Sequence, residues 1–139
     1  MGLKRTAADD LFSKCVRERT DYTCERCGKQ YDRSSTGLHC SHNYSRRHRT
    51  IRWCKDNALA LCYGCHQWYE GNPPESGRWL ENKLGSGCIE ILEQKKNSRV
   101  KVPKHEEKEI AAHYRQELKR LKERRAAGEV GVIEFISYQ

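Results

Sequence analysis

A pair of cysteines closes the segment Asp56-Asn57-Ala-Leu-Ala-Leu-Cys62-Tyr-Gly-Cys65-His66, and 34 residues separate it from a second pair in Cys24-Glu-Arg-Cys27. Two residues between the cysteines allow one tight turn to present both sulfurs to a single metal ion, and two such pairs complete a four-thiolate site. A thioredoxin-like redox motif is the alternative for either pair taken alone. The doubled spacing predicts a structural Zn²⁺ bound by Cys24, Cys27, Cys62 and Cys65.

The composition favours a fold that needs disulfides, a metal or oligomerisation in addition to its hydrophobic core, and eight cysteines make the first two the main candidates. Hydrophobic residues make up 36% of the 139 residues and charged residues 33%, so little apolar surface is available to offset the entropy of the chain. Lys and Arg outnumber Asp and Glu by 27 to 19, which favours a polyanionic partner, nucleic acid first, over a neutral metabolite. With no apolar segment typical of a signal peptide or a membrane span, we expect a cytoplasmic protein that does not bind membranes.

We expect one domain made of three regions: an N-terminal helix in residues 1–21, a zinc-bound core in residues 22–74 and a helical extension in residues 75–139. Thr6-Ala-Ala-Asp9 has the spacing of a capping box, which predicts a helix over Ala7–Arg19 with Cys15 on its buried face. In the core we predict antiparallel strands over residues 38–44 and 50–53, followed by a helix that begins after Asn57 and carries Cys62.

The extension is predicted from apolar periodicity. Two short helices should lie around residues 79–84 and 89–92, and a longer helix should run from about residue 103 to residue 127. Residues 130–138 are β-branched and aromatic, which is typical of a terminal strand or a partner-binding strand.

Three polar residues inside and beside the cysteine frame suit phosphodiester hydrolysis, which needs a base for water and a cation for the phosphate. His42, on the first predicted strand, is a candidate general base, because the unperturbed pKa of a histidine side chain, about 6.5, suits proton transfer at neutral pH. His66 follows Cys65 directly and can hold a divalent cation. Asn57 lies 15 residues after His42. A zinc module whose histidines have no catalytic role is the alternative.

The segment from Asp56 to His66 resembles the N-x-x-x-L-C-x-x-C-H signature of zinc-bearing HNH endonucleases. The resemblance is closer to phage recombination nucleases of the NinG and Ref type, which combine a small residue and His on a strand with an Arg-rich loop and a C-x-x-C end. The counterparts here are Ser41-His42-Asn43-Tyr44, Arg46-Arg47, Arg52-Trp53 with Asn57, and Cys62 to Cys65. Asn43 intervenes before the aromatic residue, and His66 stands where the NinG type usually has Asn.

The resemblance implies an α+β fold, a small zinc-stabilised ββα-metal domain with flanking helices. It also implies a metal-dependent DNA endonuclease with His42, Asn57 and His66 at its catalytic site, where Asn57 fixes the loop that orients the base. Mg²⁺ or Mn²⁺ would be the catalytic cation, bound by His66. Many HNH enzymes have a second metal ligand at position 41, and because Ser41 is a poor ligand, His39 on the same strand face is its candidate substitute.

The expected partner is DNA, with a recombination protein as a further candidate, and a phage-encoded protein would act in the host cytoplasm. Four arginines crowd the predicted hairpin and are expected to hold DNA phosphates: Arg46, Arg47, Arg49 and Arg52. The alternative function is a zinc-containing DNA-binding module without catalysis.

Overall fold

The structure, a computed structural model, describes residues 3–138 of the chain. Its first element is helix α1, Ala7–Arg19, which begins with the predicted capping box because the Thr6 side chain accepts from the Asp9 backbone and the Asp9 side chain accepts from the Thr6 backbone. Cys15 is fully buried on this helix, as predicted. The helix prediction is therefore confirmed at both of its ends.

Two antiparallel strands form the sheet. Strand β1 is Leu38–His42 and strand β2 is Ala58–Cys62, with Leu38 opposite Cys62 and His42 opposite Ala58. The prediction that residues 50–53 pair with β1 is wrong, because turn hydrogen bonds such as the one from Ile51 N–H to the His48 carbonyl oxygen fold that segment instead. The residues between the strands form a long ordered loop.

β2 also corrects the prediction of a helix beginning directly after Asn57. All five residues of β2 are buried, so pairing with β1 and packing on both faces override the helix preference of its alanines and leucines. Helix α2, Tyr63–Gly71, begins only after Cys62, whose sulfur accepts a hydrogen bond from the Cys65 N–H.

Three further helices follow. Helix α3 is Pro73–Leu84, helix α4 is Ser86–Lys96 and helix α5 is Glu107–Ala126. Gly85 separates α3 from α4 in a left-handed conformation with φ of +88°, which glycine adopts without strain. A short 3-10 turn, Lys104–Glu106, precedes α5, so the long helix begins later than predicted.

The C-terminal segment forms no strand within the described part of the chain, so the predicted terminal strand is not formed there, and the alternative of a partner-binding strand stays a prediction. Ile133 and Phe135 insert into the core, and the Ile133 N–H donates to the carbonyl oxygen of Arg19 at the end of α1. The described C-terminal segment therefore packs against the core and does not pair with the sheet.

One apolar cluster joins the elements, including Phe12 of α1, Leu61 of β2, Tyr114 of α5 and Phe135. The three regions expected from the sequence therefore share a single core, and the molecule is a mixed α+β domain. Among residues 3–138, no helix combines the length and the apolar character that crossing a membrane requires.

Candidate metal sites and catalytic residues

The four paired cysteines meet at one point of the fold. Cys24 and Cys27 lie in the turn after α1, while Cys62 ends β2 and Cys65 lies in the first turn of α2. Their sulfurs all lie within 4.8 Å of one another, and the sulfurs of Cys27 and Cys62 are 3.8 Å apart. A tetrahedral Zn²⁺ with Zn–S bonds of about 2.3 Å has S···S edges of about 3.8 Å. The four cysteines could therefore hold a structural metal ion such as Zn²⁺.

The electrostatics of the cluster also fit a cation. Burial raises the pKa of Cys24, but hydrogen bonds from the backbone N–H groups of Cys27, Cys62 and Arg26 outweigh it and lower the pKa to about 7. Burial raises the pKa of Cys65 to about 12, and the neighbouring Cys24 and Cys62 thiols add to the increase. One thiolate thus opposes the ionisation of the next, and a metal ion would remove that conflict.

His39 and His66 come together near this cluster, on the face of β1 that α2 covers. Their Nδ1 atoms are 3.1 Å apart. Two imidazole ligands of one cation, with metal–nitrogen bonds of about 2.1 Å, have nitrogens about 3.0–3.4 Å apart, so this spacing fits a shared ion as well as a hydrogen bond between the rings. Burial lowers the pKa of His39, and nearby His66 and Arg17 lower it further. Neutral imidazole is the form that binds metals.

Glu70 and Ser41 are the other two candidate polar groups near the His39 and His66 pair. Glu70 lies one helical turn beyond His66, with its Oε2 atom 3.6 Å from the second ring nitrogen, Nε2, of His66. Ser41 shares the strand face of His39 but is only 1% exposed. Of the two residues considered for the second ligand position, His39 is the one that the structure brings to His66.

His42 ends β1 and faces the opposite side of the strand, toward α1, where its ring lies 5.9 Å from the ring of Phe12. Its Nε2 atom lies 3.1 Å from the carbonyl oxygen of Arg52. A carbonyl only accepts, so Nε2 carries the proton and Nδ1 is left with a free lone pair. Burial lowers the pKa of His42, although the hydrogen bond to Arg52 opposes the decrease. The ring is therefore held neutral and in one tautomer.

Asn57 is fully buried and ties together the loop between the strands. Its Oδ1 accepts from the Tyr44 N–H at 2.8 Å, and its Nδ2 donates to the carbonyl oxygens of Tyr44 and Ile51, both at 3.1 Å. The same loop supplies the Arg52 carbonyl that holds His42. Asn57 thus contacts the backbone of the loop and forms no hydrogen bond with the His42 ring.

The four loop arginines differ in whether their guanidinium groups are free to bind a DNA phosphate. Three of them are engaged with carboxylates. Arg52 is 4% exposed and its guanidinium binds Asp9 at 2.6 Å and 3.0 Å, so its expected place on a DNA-binding surface is corrected to one inside the fold. Arg46 lies 3.4 Å from Asp9, and Arg49 lies 2.7 Å from Glu107. Arg47 is exposed. Three of the arginines are engaged because α1 and α5 bring acidic residues to this loop.

Sequence reasoning missed two cations beside the His39 and His66 pair. Lys14 and Arg17, three positions apart on α1, line a groove that also contains both histidines. Their helical spacing was visible in the sequence, but nothing in it indicated that this face of α1 would border β1.

The described residues thus define a small α+β domain with five α-helices, a two-stranded sheet and a four-cysteine cluster suited to a structural metal. The family model described as Bacteriophage Lambda NinG protein matches residues 5–124, and the chain belongs to this NinG family. The resemblance to the NinG type is therefore confirmed, and membership suggests a role related to phage recombination. Comparison with curated proteins and with solved structures gives no significant match.

Proposed function

We propose that the chain is a metal-dependent HNH endonuclease that hydrolyses DNA phosphodiester bonds during phage recombination or DNA processing. The observation that carries the proposal is the pairing of His39 with His66 of α2, Nδ1 to Nδ1 at 3.1 Å, because His39 lies on the same five-residue strand that ends at His42. A site for a cation and a histidine suited to act as a base thus share one short element. These are the two requirements of metal-assisted phosphodiester hydrolysis.

In this proposal His42 acts as the general base. Its Nδ1 atom takes a proton from a water molecule, the water oxygen bonds to phosphorus, and one ester P–O bond breaks to leave an alkoxide that solvent protonates. The Arg52 carbonyl keeps the His42 ring in the tautomer that can accept this proton. Asn57 is a positioning residue, because it holds the loop that carries the carbonyl.

His39 and His66 would hold the catalytic cation. A bound divalent ion such as Mg²⁺ or Mn²⁺ would neutralise charge on the phosphate. Two imidazole ligands suit Mn²⁺ better than Mg²⁺, which prefers oxygen. Glu70, beside the Nε2 atom of His66, would orient that ring in the way that carboxylates support metal-binding histidines.

One observation favours the second candidate function, a zinc-containing module that binds DNA without cutting it. His42 faces α1, whereas the rings of His39 and His66 lie on the α2 side of the same strand. A base and a cation that act on one phosphate must both reach it. The nuclease therefore requires the scissile phosphate to lie at the outer edge of β1, within reach of groups on both sides of the strand.

Cleavage of supercoiled plasmid by the zinc-loaded protein, with added Mn²⁺ or Mg²⁺, tests the proposal. We expect His42→Ala to reduce the rate by about 10²- to 10⁴-fold while DNA affinity changes little. His105→Ala, at an exposed histidine distant in sequence, is the matched control and should cut at the parental rate. Parental activity in His42→Ala would show that His42 is not the base, and a parent that binds but never cuts would favour the binding module.

A further inference from the structure

A groove of about 500 Å³ runs beside β1 and opens onto the His39 and His66 pair. Its lining includes Lys14 and Arg17 of α1 and His66 of α2. β1 pairs only with β2 in the described sheet, so its outer edge borders the groove. The groove therefore contains both the basic side chains of α1 and the two histidines that could hold the catalytic metal ion.

Lys14 and Arg17 differ from the other cations of this groove. Arg5 is paired with Asp10, and Arg33 binds both Glu18 and Asp21. Within residues 3–138, neither Lys14 nor Arg17 has a carboxylate within ion-pair distance, and the one polar side-chain contact of Arg17 is with the Ser13 hydroxyl at 3.4 Å. Three positions apart on a helix, they project from one face. Two uncompensated positive charges thus stand together at the groove.

Uncompensated cations beside a cation site repel one another unless an anion lies between them. A DNA strand supplies such anions as a row of phosphates, and Lys and Arg bind them through charge-assisted hydrogen bonds. We propose that Lys14 and Arg17 of α1 bind the DNA backbone in this groove and deliver a phosphate to His39 and His66. The inference rests on the proposed function, because it names the surface that holds its substrate.

The proposal shifts the DNA contact from the loop predicted by sequence to the first helix. Arg46, Arg49 and Arg52 are engaged with Asp9 and Glu107, as described above. Lys14 and Arg17 lie in the same groove as the two imidazoles. Phosphate contacts by these two residues would set the position of the strand without reading its sequence.

The test measures binding of a labelled short DNA duplex by fluorescence anisotropy, in the His42→Ala background and without added divalent cation, over about 50–200 mM salt. Removing two phosphate contacts with Lys14→Ala and Arg17→Ala should make the slope of log affinity against log salt shallower by about 1.8. The matched control is Lys119→Ala with Lys122→Ala, which removes the same charge from exposed positions of α5 and should leave the slope unchanged.

A charge-conserving pair, Lys14→Arg with Arg17→Lys, separates phosphate binding from damage to α1 and should keep the parental slope. Equal effects of the α1 and α5 double variants would overturn the proposal, because net charge alone would then explain binding. An unchanged slope in the α1 alanine variant would overturn it as well. Neither result bears on cleavage by the parent, so failure of the groove and failure of the proposed nuclease activity are distinguishable.

Discussion

The Arg52 guanidinium forms two hydrogen bonds with the Asp9 carboxylate inside the fold, at 3.0 Å and 2.6 Å, and so ties the loop between the strands to the first turn of α1. The two side chains are 5% and 4% exposed. Asp9 also accepts from the Thr6 N–H that begins the helix. Because the Arg52 carbonyl binds His42, the ion pair connects the capping of α1 to the orientation of the proposed base.

Asp9→Ala should lower the free energy of unfolding by about 3–5 kcal/mol, because it leaves the buried Arg52 charge without a carboxylate partner. Asp10→Ala, at the next position but in an exposed pair with Arg5, should cost less than about 1 kcal/mol. Denaturant unfolding at neutral pH and fixed Zn²⁺ concentration measures both. Equal losses in the two variants would contradict a specific role for the buried pair.

The pH dependence of this contribution has a definite sign. Burial raises the pKa of Asp9, but its hydrogen bonds with Arg52 and Thr6 outweigh burial and lower the pKa below the ordinary value of 3.8. The stabilisation is therefore fully present above pH 3.8 and is lost as the pH falls through the lowered pKa. As the pH falls, the cysteine cluster would be protonated and release a metal before Asp9 is protonated. The stabilities of Asp9→Ala and Asp10→Ala are therefore compared at neutral pH.

We predict one Zn²⁺ per chain, bound by the four-cysteine cluster. Cys27→Ala should abolish the bound zinc, and chelation of the parent should unfold the centre of the domain, because a structural zinc site contributes on the order of 10 kcal/mol to folding. Cys54→Ala, outside the cluster, is the control and should retain the metal. Metal analysis with circular dichroism provides the measurement, and folded parent protein without zinc would contradict the prediction.

His39→Ala and His66→Ala should both raise the divalent cation concentration needed for half-maximal cleavage. Loss of a group that merely supports a ligand typically costs about 10- to 100-fold in metal affinity, so loss of a ligand should cost at least about tenfold. Glu70→Gln should have a smaller effect in the same direction. The measurement is a Mn²⁺ titration of cleavage. An unchanged cation requirement in His39→Ala would leave Ser41 or solvent as the second ligand.

Local sequence signals predicted those parts of the fold that neighbouring residues determine. Thr6 and Asp9 predicted the first helix to the residue, because a capping box acts within one turn. The alanines and leucines of Ala58–Cys62 wrongly predicted a helix, since their conformation depends on pairing with β1, about 20 residues away in sequence. Strand periodicity correctly placed His39 on the face of position 41, but its contact with His66 requires the tertiary fold.

The candidate DNA surface was the least predictable feature for the same reason. Arg46 meets Asp9 and Arg49 meets Glu107 only because the tertiary fold brings α1 and α5 to the loop. No local pattern in a run of arginines indicates which of them will find a carboxylate. The chemistry of phosphate binding could be read from residue types, but the availability of each charge could not.

Arg47 is the exposed arginine of the loop between the strands. If its guanidinium contacts one DNA phosphate, Arg47→Ala should make the slope of log affinity against log salt shallower by about 0.9, with little change in stability because no buried pair is lost. Arg46→Ala should instead lower stability, since Arg46 is partly buried and lies 3.4 Å from Asp9. Anisotropy titrations on two DNA duplexes of unrelated sequence, together with thermal unfolding, separate these effects. The loss for Arg47→Ala should be similar on both duplexes, because a phosphate contact carries no base information. A parental salt slope in Arg47→Ala would mean that the loop tip is only solvated and that the loop contributes its backbone, through the Arg52 carbonyl, rather than its charges.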